Sequence, residues 1–135
     1  MSALVVDTSS WVSYFAGRGS DLVDEALAEG RVVLPPVVAA ELLSGTLHPR
    51  EQARLEDFLA HLELCPSDLS HWLRVGRLRA ELRRAGLSVS TPDAHVAQCA
   101  MDCHGRLLTE DGIFGKIARL GRLRLAAGSP GAKGA

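Results

Sequence analysis

Short apolar runs alternate along this chain with stretches whose apolar residues recur every three or four positions. ALVVD (3–7) is the first run. Unbroken aliphatic character over so few residues predicts a strand covered on both faces. A helix is expected from about Ser9 to Ala16, with Trp11 and Phe15 four apart on one side. GRGSD interrupts it, and LVDEALAEG resumes as a helix that Gly30 stops. RVVLP (31–35) reads as a second strand closed by two prolines, and VVAAELLSG (37–45) as a short helix ending at Gly45. HPREQARLEDFLAHL (48–62) places apolar residues at 55, 58, 59 and 62, a helical stripe. LELCP (62–66) predicts a brief strand, and DLSHWLRVGRLRAELRRAG (68–86) a long amphipathic helix ended by Gly86. STPDAHVAQCAMDCHG (90–105) opens a further helix, with Thr91 as its N-cap, Pro92 at the first helical position and Asp93 in the first turn. RLLTED (106–111) is a strand with acids at its end, IFGKIARLG (113–121) a helix, and RLRLA (122–126) a last strand.

This alternation predicts an α/β fold: one domain over residues 1–126, with a parallel sheet of four to five strands and helices on both faces. Residues 127–135, AGSPGAKGA, offer no apolar content to bury and are expected to form a disordered tail. There is no internal repeat and no interdomain linker. In parallel sheets ligands sit beyond the carboxyl ends of the strands. Asp7 and Asp111 both fall at such ends.

Composition narrows the class. At 47% hydrophobic, 23% charged and only 4% aromatic, the 135 residues suit one globule with a core of Leu, Val and Ala. No apolar run approaches the ~20 residues a membrane span requires, and no basic-then-apolar leader opens the chain. Three cysteines, Cys65, Cys99 and Cys103, are an odd number and a poor disulfide framework, so reduced thiols in the cytoplasm are expected. Charge is uneven: residues 1–73 hold 11 acids and 4 bases, residues 74–124 hold 5 acids and 10 bases. The basic half is nearly all arginine: Arg74, Arg77, Arg79, Arg83, Arg84, Arg106, Arg119, Arg122 and Arg124. Such a run is either a solvated helix face or a surface for phosphate, which the guanidinium fork matches.

Four acids interrupt apolar surroundings: Asp7 after LVV, Glu41 within VVAAELL, Asp93 at an apolar helix start, and Asp111 after RLLT. A carboxylate in such a place is costly unless paired, hydrogen-bonded or metal-bound. None has a Lys or Arg at helical spacing to pair with. Each alone has an ordinary reading. Asp7 can cap the following helix, Asp93 can be a first-turn acid, and Glu41 can sit on an exposed face. If all four converge, each pair at ~6 Å repels by roughly 2–3 kcal/mol at an effective dielectric near 20. A divalent cation relieves that, and an all-oxygen donor set suits Mg²⁺ or Mn²⁺ rather than Zn²⁺. Thr8, Ser9 and Thr109 stand where their hydroxyls can orient the neighbouring carboxylates.

Together, VVDTSSW, VVAAELLSG, TPDAHVAQCA and LLTEDGIF resemble, in order, the four motifs of the PIN-domain ribonucleases, particularly the VapC-type toxins of toxin–antitoxin pairs. The resemblance covers nearly the whole chain. It implies a PIN-like domain and Asp7, Glu41, Asp93 and Asp111 as metal-binding, catalytic acids supported by Ser9 and Thr109. His95 stands where an aliphatic residue is usual. Ile113 replaces a further acid found in some members, so four acids rather than five are implied. The reaction implied is endonucleolytic hydrolysis of RNA phosphodiesters with Mg²⁺ or Mn²⁺, leaving 5′-phosphate and 3′-hydroxyl ends. Arg77, Arg83, Arg84 and Lys116 are the candidates for contact with the RNA backbone. The partners implied are RNA, a cognate antitoxin of a type II pair and a second copy of the chain. The alternative is a catalytically silent module that binds protein or RNA.

Other assignments fit less well. An aspartyl-phosphate phosphatase needs a second Asp two residues after the first, and residue 9 is Ser. A receiver domain needs a late Lys after a strand, and none follows RLLTE. His95, Cys99 and Cys103 suggest zinc, but positions eight apart on a helix are ~12 Å apart, and donors to one zinc lie within ~5 Å of each other. Cys99 and Cys103 could share a metal with help from elsewhere in the chain, but the expectation is that they are core thiols. Trp11, Phe15 and Trp72 are expected to make core or subunit contacts rather than to stack on bases.

Overall fold

A computed structural model describes residues 2–46 and 48–132. The elements in chain order are β1 (Leu4–Val6), α1 (Thr8–Phe15), α2 (Asp21–Ala28), β2 (Val32–Leu34), α3 (Pro36–Ser44), α4 (Pro49–Ala60), β3 (Glu63–Leu64), α5 (Leu69–Arg84), α6 (Thr91–Asp102), β4 (Arg106–Leu108) and α7 (Ile113–Leu120). The four strands form one parallel sheet in the order β3-β2-β1-β4. Leu4, Val5 and Val6 are all buried. Successive strand residues point to opposite faces, so burial of all three means both faces of β1 are covered. α2 rests on β1 and β2, while α6 rests on β1 and β4 and also touches α3, α5 and α7. No helix among the described residues is long and apolar enough to cross a membrane.

Every helix and the first four strands appear where the apolar spacing puts them. Two local expectations are corrected. The N-cap of α6 is Ser90, whose hydroxyl accepts from the Asp93 amide at 3.2 Å; Thr91 is already helical. The last apolar run does not become a full strand. Leu125 forms a single parallel bridge to Leu107, through Leu107 N–H to Arg124 and Ala126 N–H to Leu107. Leu123 and Leu125 are buried and Arg122 and Arg124 exposed, so the alternation is real. What is missing is length of pairing, because β4 is only three residues long. Of the stretch 127–135, residues 133–135 lie outside the described residues. Residues 127–132 turn back over β4, where buried Ser129 donates to the Leu107 carbonyl and accepts from the Thr109 amide.

The entry to β4 is tight. A Cβ at Gly105 would lie 2.6 Å from the Ala3 carbonyl oxygen, a backbone atom that cannot swing away. Gly105→Ala is expected to destabilise the fold by roughly 1–3 kcal/mol, the usual cost of overpacking. A urea midpoint unchanged from wild type would contradict this.

Candidate active site

Three of the four singled-out acids stand at the carboxyl ends of strands or the amino end of a helix. Asp7 follows β1. Its side chain makes no capping bond to α1, so the helix-cap reading of this residue fails. The carboxylate instead accepts from Thr109 Oγ1 at 2.9 Å and from Ser9 Oγ at 3.2 Å. Thr109 follows β4, is fully buried, and accepts in turn from the Asp111 amide at 3.0 Å. Ser9 Oγ accepts from the Glu110 amide at 3.0 Å. Two hydroxyls thus stitch the start of α1 to the turn after β4 and orient Asp7 between them. The parallel pairing of β1 with β4 makes this possible, since it aligns Val6 with Leu108 and ends both strands together.

Asp111 closes its own turn, accepting from the Ile113 amide at 3.0 Å, and is otherwise exposed. Glu41 projects from the middle of α3 and accepts from Thr8 Oγ1 at 2.8 Å. Asp93 is half-buried in the first turn of α6, where the helix dipole favours an anion.

The acids feel one another. Burial pushes Asp7 above the usual carboxylate range, against the hydrogen bonds from Thr109, the Thr8 backbone and Ser9, and the charge of Asp93 adds to the rise. Burial likewise raises Asp93, a Ser90 hydrogen bond opposes it, and the charges of Asp111 and Glu41 push it further. Among the described residues none of the four forms an ion pair with Lys, Arg or His. The arrangement is a cluster of carboxylates and hydroxyls in which, among the described residues, no acid is ion-paired. That donor chemistry fits a hard dication, which commonly takes one or two carboxylates directly and reaches others through water. The carboxylates are not packed to direct-ligand spacing as a group. Only Cys65, His71 and Cys99, elsewhere in the fold, bring three donor atoms within 4.8 Å of one another among the described residues.

The arginines are divided. Arg74 is committed to Asp102 at 2.9–3.0 Å, and the Arg79 Nε donates to the Val89 carbonyl at 2.8 Å. A groove of about 840 Å³ is lined by Arg74, Arg77, Arg122 and Arg124, with Glu81 and Asp102. It also holds Gly105, so it opens at the start of β4, and none of the four site acids lines it. Arg77, Arg83, Arg84 and Lys116 are exposed. The aromatic expectation divides too: Trp11 is fully buried, while Phe15, stacked on it, is half exposed. Sequence reasoning missed Ser90, whose hydroxyl serves both the helix and Asp93. The Ser-Thr-Pro-Asp string carried that signal, with two hydroxyl residues competing for the cap.

The chain matches the PIN domain family over residues 4–120. It is 31% identical over 131 residues to a VapC ribonuclease of Mycobacterium bovis and to Ribonuclease VapC11 of Mycobacterium tuberculosis, covering 92% of this chain and 98% of each relative. Among solved structures it resembles VapBC2 from Rickettsia felis bound to a promoter DNA fragment, with a TM-score of 0.73 at 21% identity, covering 92% of this chain and 97% of that one. It also resembles DNA-bound VapBC from Salmonella typhimurium, with a TM-score of 0.72 at 24% identity, covering 93% and 98%. At those identities the likeness establishes a shared fold.

Proposed function

The chain belongs to the PIN domain family, and from that premise we propose that it is a metal-dependent endoribonuclease, the toxin of a type II toxin–antitoxin pair. The observation that carries the reading is the carboxylate cluster around Asp7, whose acids form no ion pair among the described residues, with Asp7 held in place by Thr109 and Ser9. Asp7, Glu41, Asp93 and Asp111 would hold Mg²⁺ or Mn²⁺, which supplies a more acidic water and offsets charge on the phosphate. Thr109 and Ser9 both donate to Asp7 Oδ2, and Thr8 donates to Glu41 Oε1, which orients the two carboxylates. Asp93, its proton affinity raised by burial and by its acidic neighbours, is suited to take the proton from the attacking water, with Asp111 beside it. Exposed Arg77, Arg83, Arg84 and Lys116 would track the RNA backbone that the acidic pocket repels.

The partner is a cognate antitoxin, as in the VapBC complexes of the same fold. Val12 and Phe15 leave α1 with an exposed apolar edge suited to that partner or to a second copy of the chain. A silent interaction module is the less favoured reading, because the acids remain at all four motif positions and the relatives at 31% identity are named ribonucleases.

The test is cleavage of end-labelled RNAs, structured transfer RNA included, by the purified chain. Mn²⁺ or Mg²⁺ should support cleavage to 5′-phosphate and 3′-hydroxyl ends, and a chelator should stop it. A chain inert on every RNA offered, with either metal, overturns the proposal. Replacing both Arg83 and Arg84 by Ala should make the dependence of log binding on log salt shallower by about 1.4, two single-strand phosphate contacts' worth. An unchanged slope removes them from the RNA path.

A further inference from the structure

α5 and α6 pack around a buried polar cluster that the carboxylate site does not use. Cys65 sits just past β3, His71 in the first turn of α5, and His95 and Cys99 one turn apart on α6. All four side chains are fully buried. The Cys65 and Cys99 sulfurs and one His71 nitrogen lie within 4.8 Å of one another. Cys99 Sγ is 4.0 Å from His71 Nε2 and 3.9 Å from His95 Nδ1, and those two nitrogens are 2.7 Å apart.

The cluster is also oriented from behind. His71 Nδ1 lies 2.8 Å from Asp102 Oδ2, and Asp102 is held in turn by Arg74 and Gln98. With Nδ1–H donating to that carboxylate, His71 Nε2 is an acceptor, taking the hydrogen bond of His95 Nδ1–H at 2.7 Å with the Cys99 sulfur 4.0 Å away. A carboxylate behind an imidazole in this way is the arrangement that fixes metal-binding histidines. Trp72 stacks on the His95 ring at 4.6 Å and seals that side.

We propose that Cys65, His71, His95 and Cys99 form a structural Zn²⁺ site. Zinc–nitrogen bonds of ~2.0–2.1 Å and zinc–sulfur bonds of ~2.3 Å place tetrahedral donors roughly 3.3–3.8 Å apart. The two Cys99 sulfur-to-nitrogen spacings of 3.9 and 4.0 Å close with shifts of a few tenths of an ångström, while His95, outside the three donors that already lie within 4.8 Å of one another, must swing further toward Cys65. The two imidazole nitrogens must part by about 0.6 Å, exchanging their mutual hydrogen bond for the metal. Binding releases two thiol protons. The proton that His95 Nδ1 shares with His71 moves to its own Nε2, 3.8 Å from the Cys99 sulfur. Zn²⁺ with two thiolates and two neutral imidazoles carries no net charge, as so buried a site requires. Four protein donors leave no position for substrate, so the site is structural. Its soft donors also separate it from the oxygen-only pocket. Cys99 lies six residues after Asp93 on α6, about 9 Å along the helix. Fixing α6 there steadies the carboxylate at its other end.

Co²⁺ is the probe, added to the chelator-treated, reduced full-length chain. One equivalent should give the thiolate-to-cobalt charge-transfer band and the visible bands of tetrahedral cobalt, and Zn²⁺ should erase them. At a urea concentration that opens the metal-free chain to a disulfide reagent, one equivalent of Zn²⁺ should leave two of the three thiols unreactive. The bands should vanish in Cys65→Ser and Cys99→Ser and persist in Cys103→Ser and in Asp7→Asn, which separates this site from the acidic one. Zn²⁺ should raise the wild-type Tm by roughly 5–10 °C and leave Cys99→Ser unmoved. Should the serine variants fail to fold, the wild-type spectrum and thiol protection decide alone. An octahedral cobalt spectrum without a thiolate band overturns the proposal. So do three thiols still reactive in the presence of metal, or a Cys65–Cys99 disulfide that forms in its place.

Discussion

Asp7→Asn should remove RNA cleavage and leave the metal-free fold at least as stable as wild type. The two effects come from one feature. Asp7 is a buried carboxylate whose proton affinity is raised mainly by that burial, so its ionised form is a cost to the empty fold. Asn keeps an oxygen to accept from Thr109 and Ser9, the two hydroxyls now on Asp7, and carries no charge. Activity should fall by about 10³-fold or more, because the lost carboxylate is asked for several kcal/mol of charge stabilisation. The sign of the stability effect follows from linkage. A carboxyl group whose folded-state pKa is raised binds its proton more tightly when folded, so stability falls as pH rises from the ordinary value of 3.8 through the raised one. The advantage of Asn should therefore be absent below pH 3.8 and fully present once wild-type Asp7 has ionised. Mn²⁺ should raise the wild-type Tm more than the variant's. Melting curves across pH with and without Mn²⁺, beside a cleavage assay, check all of this. Retained cleavage, or a variant less stable at every pH, would sink the assignment of Asp7.

Much of this was legible in the sequence because it is encoded locally. ALVVD and RLLTED announce their strands by unbroken aliphatic runs, and the acid or hydroxyl that ends each run marks where the sheet opens. Gly30 stops α2 with a φ of 66°, the left-handed turn that its position after the helix-forming EALAE suggests. What stayed hidden is non-local. The argument against zinc at His95, Cys99 and Cys103 holds within one helix, and Cys103 indeed takes no part in the buried cluster. It tests only partners on the same helix, however, and the partners of Cys99 come from the end of β3 and from α5. No spacing rule connects positions 65, 71 and 99. The arginine excess is similar: a linear count shows ten bases, but only the fold separates Arg74, bound to Asp102, from Arg83 and Arg84, which are free to face solvent.

Asp102 is the residue whose importance the sequence concealed most, and Asp102→Ala carries the second large expected effect. As the last residue of α6 it sits at the end of a helix where the dipole disfavours an anion. It is nonetheless ionised. Burial pushes it up, but hydrogen bonds from Arg74, His71 and Gln98 outweigh that and hold it at about 2. Its side chain is 19% exposed, while the His71 it orients has no exposure at all. Alanine would leave His71 without a partner at Nδ1, free Gln98, and strand the Arg74 guanidinium beside a hole. Breaking a buried pair costs about 3–5 kcal/mol. Partial exposure of Asp102 and Arg74 reduces that to about 2–4 kcal/mol, or roughly 10 °C in Tm. Asp102→Asn separates charge from shape. Its amide can still accept from Arg74, but where its NH₂ faces His71 the imidazole must take the other tautomer, with the hydrogen on Nε2. That hydrogen points at His95 Nδ1, 2.7 Å away, and occupies the nitrogen His71 would offer a metal, so the asparagine variant should also bind Co²⁺ at the thiolate cluster about 10–100-fold more weakly. Urea unfolding reads the first effect and cobalt titration the second. A loss below about 1 kcal/mol in Asp102→Ala would mean that Arg74 and His71 find other partners, and that α5 is joined to α6 by apolar packing alone.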